Sequence, residues 1–244
     1  ASNLAAAEHL IAQASEQGAE LVLLPEVFAT LEGLSELSQV AELDCGLQQE
    51  SPRPLQDFLS RCAKTYGLVI VGGTIPLVSR PDGTLIDEGR VRASCLVFDA
   101  QGSRLARYDK VHLFDVKVND EQTEYSESRS YEPGETLCCV EAGALRLGLS
   151  VCYDLRFPEL YTELSRRGAN LITVPAAFTA VTGAAHWEPL LRARAIETQC
   201  FVLAAGQGGR HSETRETWGP KARARAARLC LVGFFASEDC ALRR

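Results

Sequence analysis

Cys152 closes a run of apolar and small residues, Leu145-Arg146-Leu147-Gly148-Leu149-Ser150-Val151, and is followed by Tyr153-Asp154-Leu155-Arg156-Phe157-Pro158-Glu159. Proline and glutamate are favoured in the first turn of a helix, so the pattern predicts a strand, an elbow carrying the thiol, and a helix. A thiol at such an elbow lies near backbone N–H groups that can hold a thiolate or an oxyanion. Two other charged residues stand in apolar surroundings. Glu26 follows Leu21-Val22-Leu23-Leu24-Pro25, and Lys110 sits in Arg107-Tyr108-Asp109-Lys110-Val111-His112-Leu113-Phe114. The chain has four lysines against twenty-one arginines, which makes a lysine at a strand end stand out. Taken singly, Glu26 reads as a loop or helix-start carboxylate and Lys110 as an ordinary edge charge. Taken together, the three offer a nucleophile, a base for its proton and a cation for the oxyanion, with the Tyr153 N–H as a second oxyanion donor. A cysteine, a carboxylate and a lysine without an indispensable histidine fit acyl transfer from an amide.

Something must bring these residues together, and the chain alternates helical and strand-like stretches throughout. Leu4, Ala7, Leu10, Ile11 and Ala14 recur at helical spacing, which predicts a helix over Asn3–Glu20. Ala19–Leu24 reads as a buried strand closed by Pro25. Pro54–Tyr66 reads as a helix capped by Gly67, and Leu68–Ile75 as a single strand. Val91–Phe98 with the turn Asp99-Ala100-Gln101-Gly102 predicts a hairpin whose returning strand leads to Lys110. Asp115–Tyr131 is polar and poorly periodic, a long loop of the kind that often carries function. Leu145–Val151 is the strand before the thiol and Phe157–Arg167 the helix after it, capped at Gly168. Leu171–Val174 reads as a strand closed by Pro175, Glu188–Gln199 as a helix, and Cys200–Ala205 as a strand. The α/β class follows, with helices covering a mixed sheet.

Bulk composition narrows the functional classes. At 244 residues the chain has room for one large α/β domain. A net charge of −7 with a pI near 5.2 argues against nucleic acid and anionic membranes as partners. No stretch reads as a transmembrane span or a signal peptide. The nine cysteines are odd in number and show no C-x-x-C, so they read as reduced thiols of a cytoplasmic protein. The four histidines, His9, His112, His186 and His211, are too scattered for zinc-type spacing, and no metal site is expected.

Leu-Leu-Pro-Glu26, Tyr-Asp-Lys110-Val-His-Leu-Phe and Cys152-Tyr-Asp-Leu-Arg-Phe-Pro-Glu-Leu, in that order, resemble the three signatures of the nitrilase (carbon–nitrogen hydrolase) superfamily. The resemblance implies an α-β-β-α sandwich, a Glu26-Lys110-Cys152 triad, a Cys thioester intermediate, and assembly into homodimers or larger homo-oligomers. It implies no metal and no organic cofactor. The segment Tyr125-Ser126-Glu127-Ser128-Arg129 is similar to the one that carries a second active-site glutamate, which places Glu127 near the triad; its alternative is a solvated loop carboxylate. Pro175 to Cys200 with Gly206–His211 is similar to the branch of deaminated glutathione amidases, which hydrolyse the amide of a small keto acid. That likeness points to Arg156, Phe178 and Thr182 as substrate contacts, beside Tyr153. A guanidinium fork suits a planar carboxylate, although Arg156 reads equally well as a salt-bridge partner of Asp154 or Glu159.

The resemblance covers about residues 1–219 as a carbon–nitrogen hydrolase domain. From Pro220 a basic alternation and an apolar burst depart from it, so residues 220–244 read as a divergent tail. The first strand and the usual C-terminal strands of the family are expected to be missing. Three alternatives stay open on these residues: an ω-amidase, a carbamoylase, and an inactive scaffold with unpaired sheet edges.

Overall fold

Strand alternation assigns the layers. In β1 (Leu21–Leu23) and β2 (Val69–Val71), Leu23 and Val71 join one buried cluster, whereas Val22 and Ile70 join another. The two periods of a strand thus face two different cores. A computed structural model describes residues 2–30, 37, 39–44, 51–87, 89–120, 122–213 and 215–219. Its first sheet runs β1-β2-β4-β3, with β3 at Ile75–Leu77 and β4 at Arg92–Phe98; β5 (Arg104–Asp109) pairs along the free side of β4. The second sheet runs β11-β10-β9-β8, formed by β8 (Cys139–Ala142), β9 (Leu145–Leu149), β10 (Leu171–Ala176) and β11 (Phe201–Gly206).

Helices α1 (Ser2–Glu16) and α2 (Pro54–Tyr66) cover the outer face of the first sheet through Ile11, Leu55, Phe58, Leu59 and Cys62. Helix α3 (Pro158–Arg166) and helix α4 (Ala180–Thr198) serve the second sheet. Between the sheets, Leu23, Val71, Cys95 and Val97 share a cluster with Leu147 and Leu149. The layers therefore stack α-β-β-α, as the motif resemblance implies. Two small hairpins complete the described fold: β6 (Asp115–Lys117) with β7 (Glu124–Ser126), and β12 (Gly209–Arg210) with β13 (Glu216–Thr217). Among the described residues no helix is long and apolar enough to cross a membrane. The tail expected over residues 220–244 lies outside the described residues.

Four expectations change. The strand expected over Leu68–Ile75 is two strands, because Gly73 turns at φ +56 beside Gly72. A Cβ on Gly73 would stand 2.0 Å from the Pro25 carbonyl oxygen, so the break lets the two chain segments touch. Pro175 does not end β10. That strand pairs with β9 only as far as Thr173, so proline removes no ladder hydrogen bond on that side, and Pro175 still pairs with Ala205 of β11. Helix α4 starts well before Glu188 because Thr179 caps it, accepting from the Thr182 N–H at 3.3 Å. Within the polar segment expected as a loop, Asp115–Lys117 pairs with Glu124–Ser126, and a short 3-10 turn follows at Glu127–Arg129.

Gly73→Ala combines a left-handed backbone with a clash against Pro25, which precedes Glu26. It is expected to cost about 2 kcal/mol or more of stability, read as a lower urea midpoint at unchanged slope. A midpoint equal to that of the parent chain would show that Gly73 does not hold this segment.

Candidate active site

The expected residues meet where strands end. Glu26 follows β1, Lys110 follows β5, Glu127 follows β7, Cys152 follows β9, and Ala177 follows β10. Carboxyl ends of sheet strands are the usual place for ligands in α/β folds. Lys110 Nζ donates to Glu26 Oε1 at 2.8 Å and to both oxygens of Glu127 at 2.9 Å. The second oxygen of Glu26 accepts the Ala177 N–H at 2.8 Å, which ties the first sheet to the second. Glu127 also accepts the Phe114 N–H at 2.6 Å. Glu26, Lys110 and Cys152 are all buried, and all three line one cavity of about 250 Å³ with Glu127.

Local backbone strain marks two of these places. Cys152 adopts φ +47 and Val27, directly after Glu26, adopts φ +50. For a side-chain-bearing residue such backbone costs about 1–3 kcal/mol, so the surroundings must hold it. Thr74 Oγ1 accepts the Val27 N–H at 2.9 Å, and Gln207 Nε2 donates to the Val27 carbonyl at 3.4 Å.

Asp154 holds the cysteine elbow. Fully buried, it accepts the Val151 N–H at 2.8 Å, the Tyr108 hydroxyl at 2.7 Å and the His112 N–H at 3.0 Å, with His112 Nδ1 at 2.7 Å. Tyr108 and His112 flank Lys110, so one carboxylate fixes both the thiol's turn and the lysine's strand end. The His112 ring stacks on Phe157 with centroids 3.6 Å apart.

Electrostatics follow from this packing. Burial alone would lower the Lys110 ammonium, but Glu127 and Glu26 overcome it and hold the lysine charged, well above its ordinary range. Burial pushes the Glu127 carboxyl up, with Lys110 pulling the other way and Glu26 adding to the rise. Burial and the adjacent Glu26 charge push the Cys152 thiol well above its usual value, against the smaller pull of Lys110 and the Ala177 N–H. Cys152 therefore rests as a neutral thiol.

Tyr153, Phe178 and Thr182 line the cavity, as do Tyr125, Tyr131 and Arg215. Arg156 does not. Its guanidinium lies over the Tyr153 and Phe178 rings, 5.8 and 5.4 Å from their centroids, and Nη1 is 3.2 Å from His186 Nδ1. Among the described residues it makes no ion pair with Asp154 or Glu159. Asp154, the Ala177 N–H and Arg215 went unrecognised in the sequence. An acid inside Cys-Tyr-Asp-Leu was a signal for the first; a backbone donor leaves none. No group of three His, Cys, Asp or Glu side chains that could hold a metal occurs among the described residues.

The carbon-nitrogen hydrolase family matches residues 1–220. The chain belongs to that family. It is 47% identical over 217 residues to the deaminated glutathione amidase of Yersinia enterocolitica, covering 89% of this chain and 72% of the relative. It is 35% identical to the omega-amidase NIT2 of Danio rerio, covering 90% of this chain and 73% of that one. Among solved structures, Saccharomyces cerevisiae Nit3 of the nitrilase superfamily superposes with a TM-score of 0.75 at 28% identity, over 89% of this chain and 74% of that one. The fold and the superfamily implied by the three motifs are thereby established.

The raised thiol gives a pH expectation. An acid whose folded value lies above its free value keeps its proton longer as pH rises, so Cys152 carries no thiolate at neutral pH. The 240 nm difference spectrum between the parent chain and Cys152→Ala should show no thiolate step below about pH 9, the range of an unperturbed thiol. A step near pH 7 would contradict the electrostatic assignment.

Proposed function

We propose that this carbon–nitrogen hydrolase is an amidase that cleaves the amide of a small keto acid, with deaminated glutathione as its substrate. The cluster around Lys110 carries the reading: a buried ammonium between two carboxylates, sharing one cavity with a cysteine. About 250 Å³ suits a small molecule rather than a folded partner. The choice of substrate draws support from the relative of that name, which is more similar to this chain than the omega-amidase is.

In the proposed reaction Cys152 Sγ attacks the amide carbonyl as its proton passes to Glu26. Lys110 and the Tyr153 N–H take up the charge on the carbonyl oxygen. Glu26 then protonates the departing amine, and the C–N bond breaks to leave a thioester on Cys152. Water, deprotonated by Glu26, attacks the thioester and releases the acid, and the proton returns to the thiolate. Glu127 positions Lys110 throughout. Arg156 stacks on the Tyr153 and Phe178 rings outside the cavity lining, so it holds two rings of the wall in place rather than meeting the substrate carboxylate directly. The six described cysteines form no disulfide, which supports a cytoplasmic setting.

Two measurements test the reading. The parent chain should show a kcat/KM for deaminated glutathione at least tenfold above that for α-ketoglutaramate, the ω-amidase substrate, and Cys152→Ala should turn over neither. The reverse preference would favour the ω-amidase alternative. Retained activity in Cys152→Ala would remove the thiol from the reaction. Glu127→Gln turns an acceptor facing the ammonium or the Phe114 N–H into a donor, so kcat should fall by roughly 10²–10³-fold while KM moves much less. A pure KM effect would make Glu127 a binding residue.

A further inference from the structure

The turn that carries Glu127 leads into a phenol that the reaction above leaves unused. Tyr131 lines the cavity with Glu26, Lys110 and Glu127. Its backbone is held on two sides. The Tyr131 N–H donates to the Glu127 carbonyl at 2.9 Å, closing the glutamate's turn. The residues around it bracket Val91, whose N–H donates to the Ser130 carbonyl at 3.0 Å and whose carbonyl accepts the Glu132 N–H at 2.9 Å. Glu132 is gripped in turn by Arg80 and Arg92. At the end of this supported ring, the hydroxyl makes no hydrogen bond among the described residues, and its oxygen is not one of the atoms sealed in protein without a partner. Burial pushes the phenol above its usual range, the Glu127 and Glu26 charges add to the rise, and Lys110 and Arg215 oppose it. The group therefore keeps its proton and remains a donor at neutral pH. Other donors of the wall are engaged already. The Tyr125 hydroxyl donates to Asp120 at 2.9 Å, the Thr179 and Thr182 hydroxyls pair at 2.8 Å, and Lys110 is held by its two carboxylates. The Ser126 and Ser130 hydroxyls can turn back onto their own main chain, whereas a phenol cannot.

We propose that Tyr131 is a specificity-determining residue whose hydroxyl donates to the ketone oxygen of the substrate, so that the enzyme selects keto-acyl amides over acyl amides lacking that oxygen. The inference rests on the amidase reading above and deepens it. Two carboxylates, Glu127 and Glu26, act on the phenol from close by. A substrate carboxylate at this place would be a third anion, disfavoured by like-charge repulsion. A ketone is uncharged and still accepts a hydrogen bond, so it suits this donor where a carboxylate does not. In the proposed reaction the amide oxygen already has Lys110 and the Tyr153 N–H. The ketone is then the remaining neutral acceptor of the acyl half. An analogue without it leaves the cavity donor unpaired, and that loss turns one hydrogen bond into selectivity.

The test compares deaminated glutathione with the analogue that carries a methylene in place of its ketone. Tyr131→Phe removes the hydroxyl and keeps the ring. It should lower the ratio of kcat/KM for the ketone over the methylene compound about tenfold, chiefly through KM, because the contact is made alike in ground and transition states. A ratio unchanged within about threefold would overturn the assignment. Equal losses on both substrates would do the same, since a purely structural role treats the two alike. A second readout needs no turnover. The acid released in the proposed reaction, 2-oxoglutarate, differs from glutarate by the same oxygen. By calorimetry the parent chain should bind 2-oxoglutarate about tenfold more tightly than glutarate, and Tyr131→Phe should bring the two Kd values within about threefold of each other. Should the parent chain hydrolyse neither amide, the amidase reading fails, and the two acids alone decide the role of Tyr131. Equal Kd values in the parent chain, no binding of either acid, or a preference that survives in Tyr131→Phe then overturns that role.

Discussion

One buried cation organises this molecule. The Lys110 side chain is 2% exposed, and taking an ammonium out of water costs several kcal/mol unless it is repaid locally. Glu26 and Glu127 repay it with three hydrogen bonds of 2.8–2.9 Å. Each partner is then held in turn. Glu26 reaches the Ala177 N–H at the end of the second sheet, and Glu127 accepts from Phe114. The lysine thus fixes how the ends of the two sheets meet. It also anchors the turn at Glu127–Arg129, since Glu127 has a buried partner to reach.

Beneath the lysine lies a second set of charges. Asp109, the residue before Lys110, accepts from Arg92 at 3.0 Å and from Arg107 at 2.8 Å, and the Ser94 hydroxyl donates to it at 2.6 Å. Arg92 continues to Glu132, which Arg80 also grips, and Arg107 continues to Asp44, where Arg104 joins it. Hydrogen bonds from Arg80 first, then Arg92, hold the Glu132 carboxyl down to about 2. Neighbours in such a network have few alternative arrangements, because removing one partner strands a buried charge. The strand end carrying Lys110 is therefore clamped on one side by this network and on the other by Asp154.

Sequence patterns made some of this legible and hid the rest for physical reasons. The helix Pro54–Tyr66 matches its expected bounds, because proline starts it, one face is apolar, and Gly67 ends it in the left-handed region. The three motifs made the meeting of Glu26, Lys110 and Cys152 readable, since charged residues after apolar runs point to strand ends. Contacts between distant segments left weaker marks. Gly72-Gly73 reads as part of a strand until Pro25 is seen against it. Pro175 reads as a terminator until β9 is seen to stop short. Arg215 is one of twenty-one arginines, and only the docking of its hairpin on Phe178 and Thr179 sets it apart.

Burial and the same charges together set the protonation of the thiol beside the lysine. Burial first, and the neighbouring Glu26 charge after it, disfavour a thiolate at Cys152. The neutral thiol follows. In the proposed reaction the proton leaves sulfur for Glu26 only as electrons move onto the substrate carbonyl. Glu26 becomes neutral while the carbonyl oxygen becomes negative, so the total charge near Lys110 does not change. The ammonium faces two anions before the step, Glu26 and Glu127, and two after it, the oxyanion and Glu127. A buried lysine held this way needs no large reorganisation when the intermediate forms, and this is the condition under which fixed charges are most effective at stabilising a transition state. In the proposed reaction, stability and reactivity draw on one arrangement: Glu26, which helps make burial of Lys110 tolerable, also joins burial in keeping the thiol protonated until a substrate arrives.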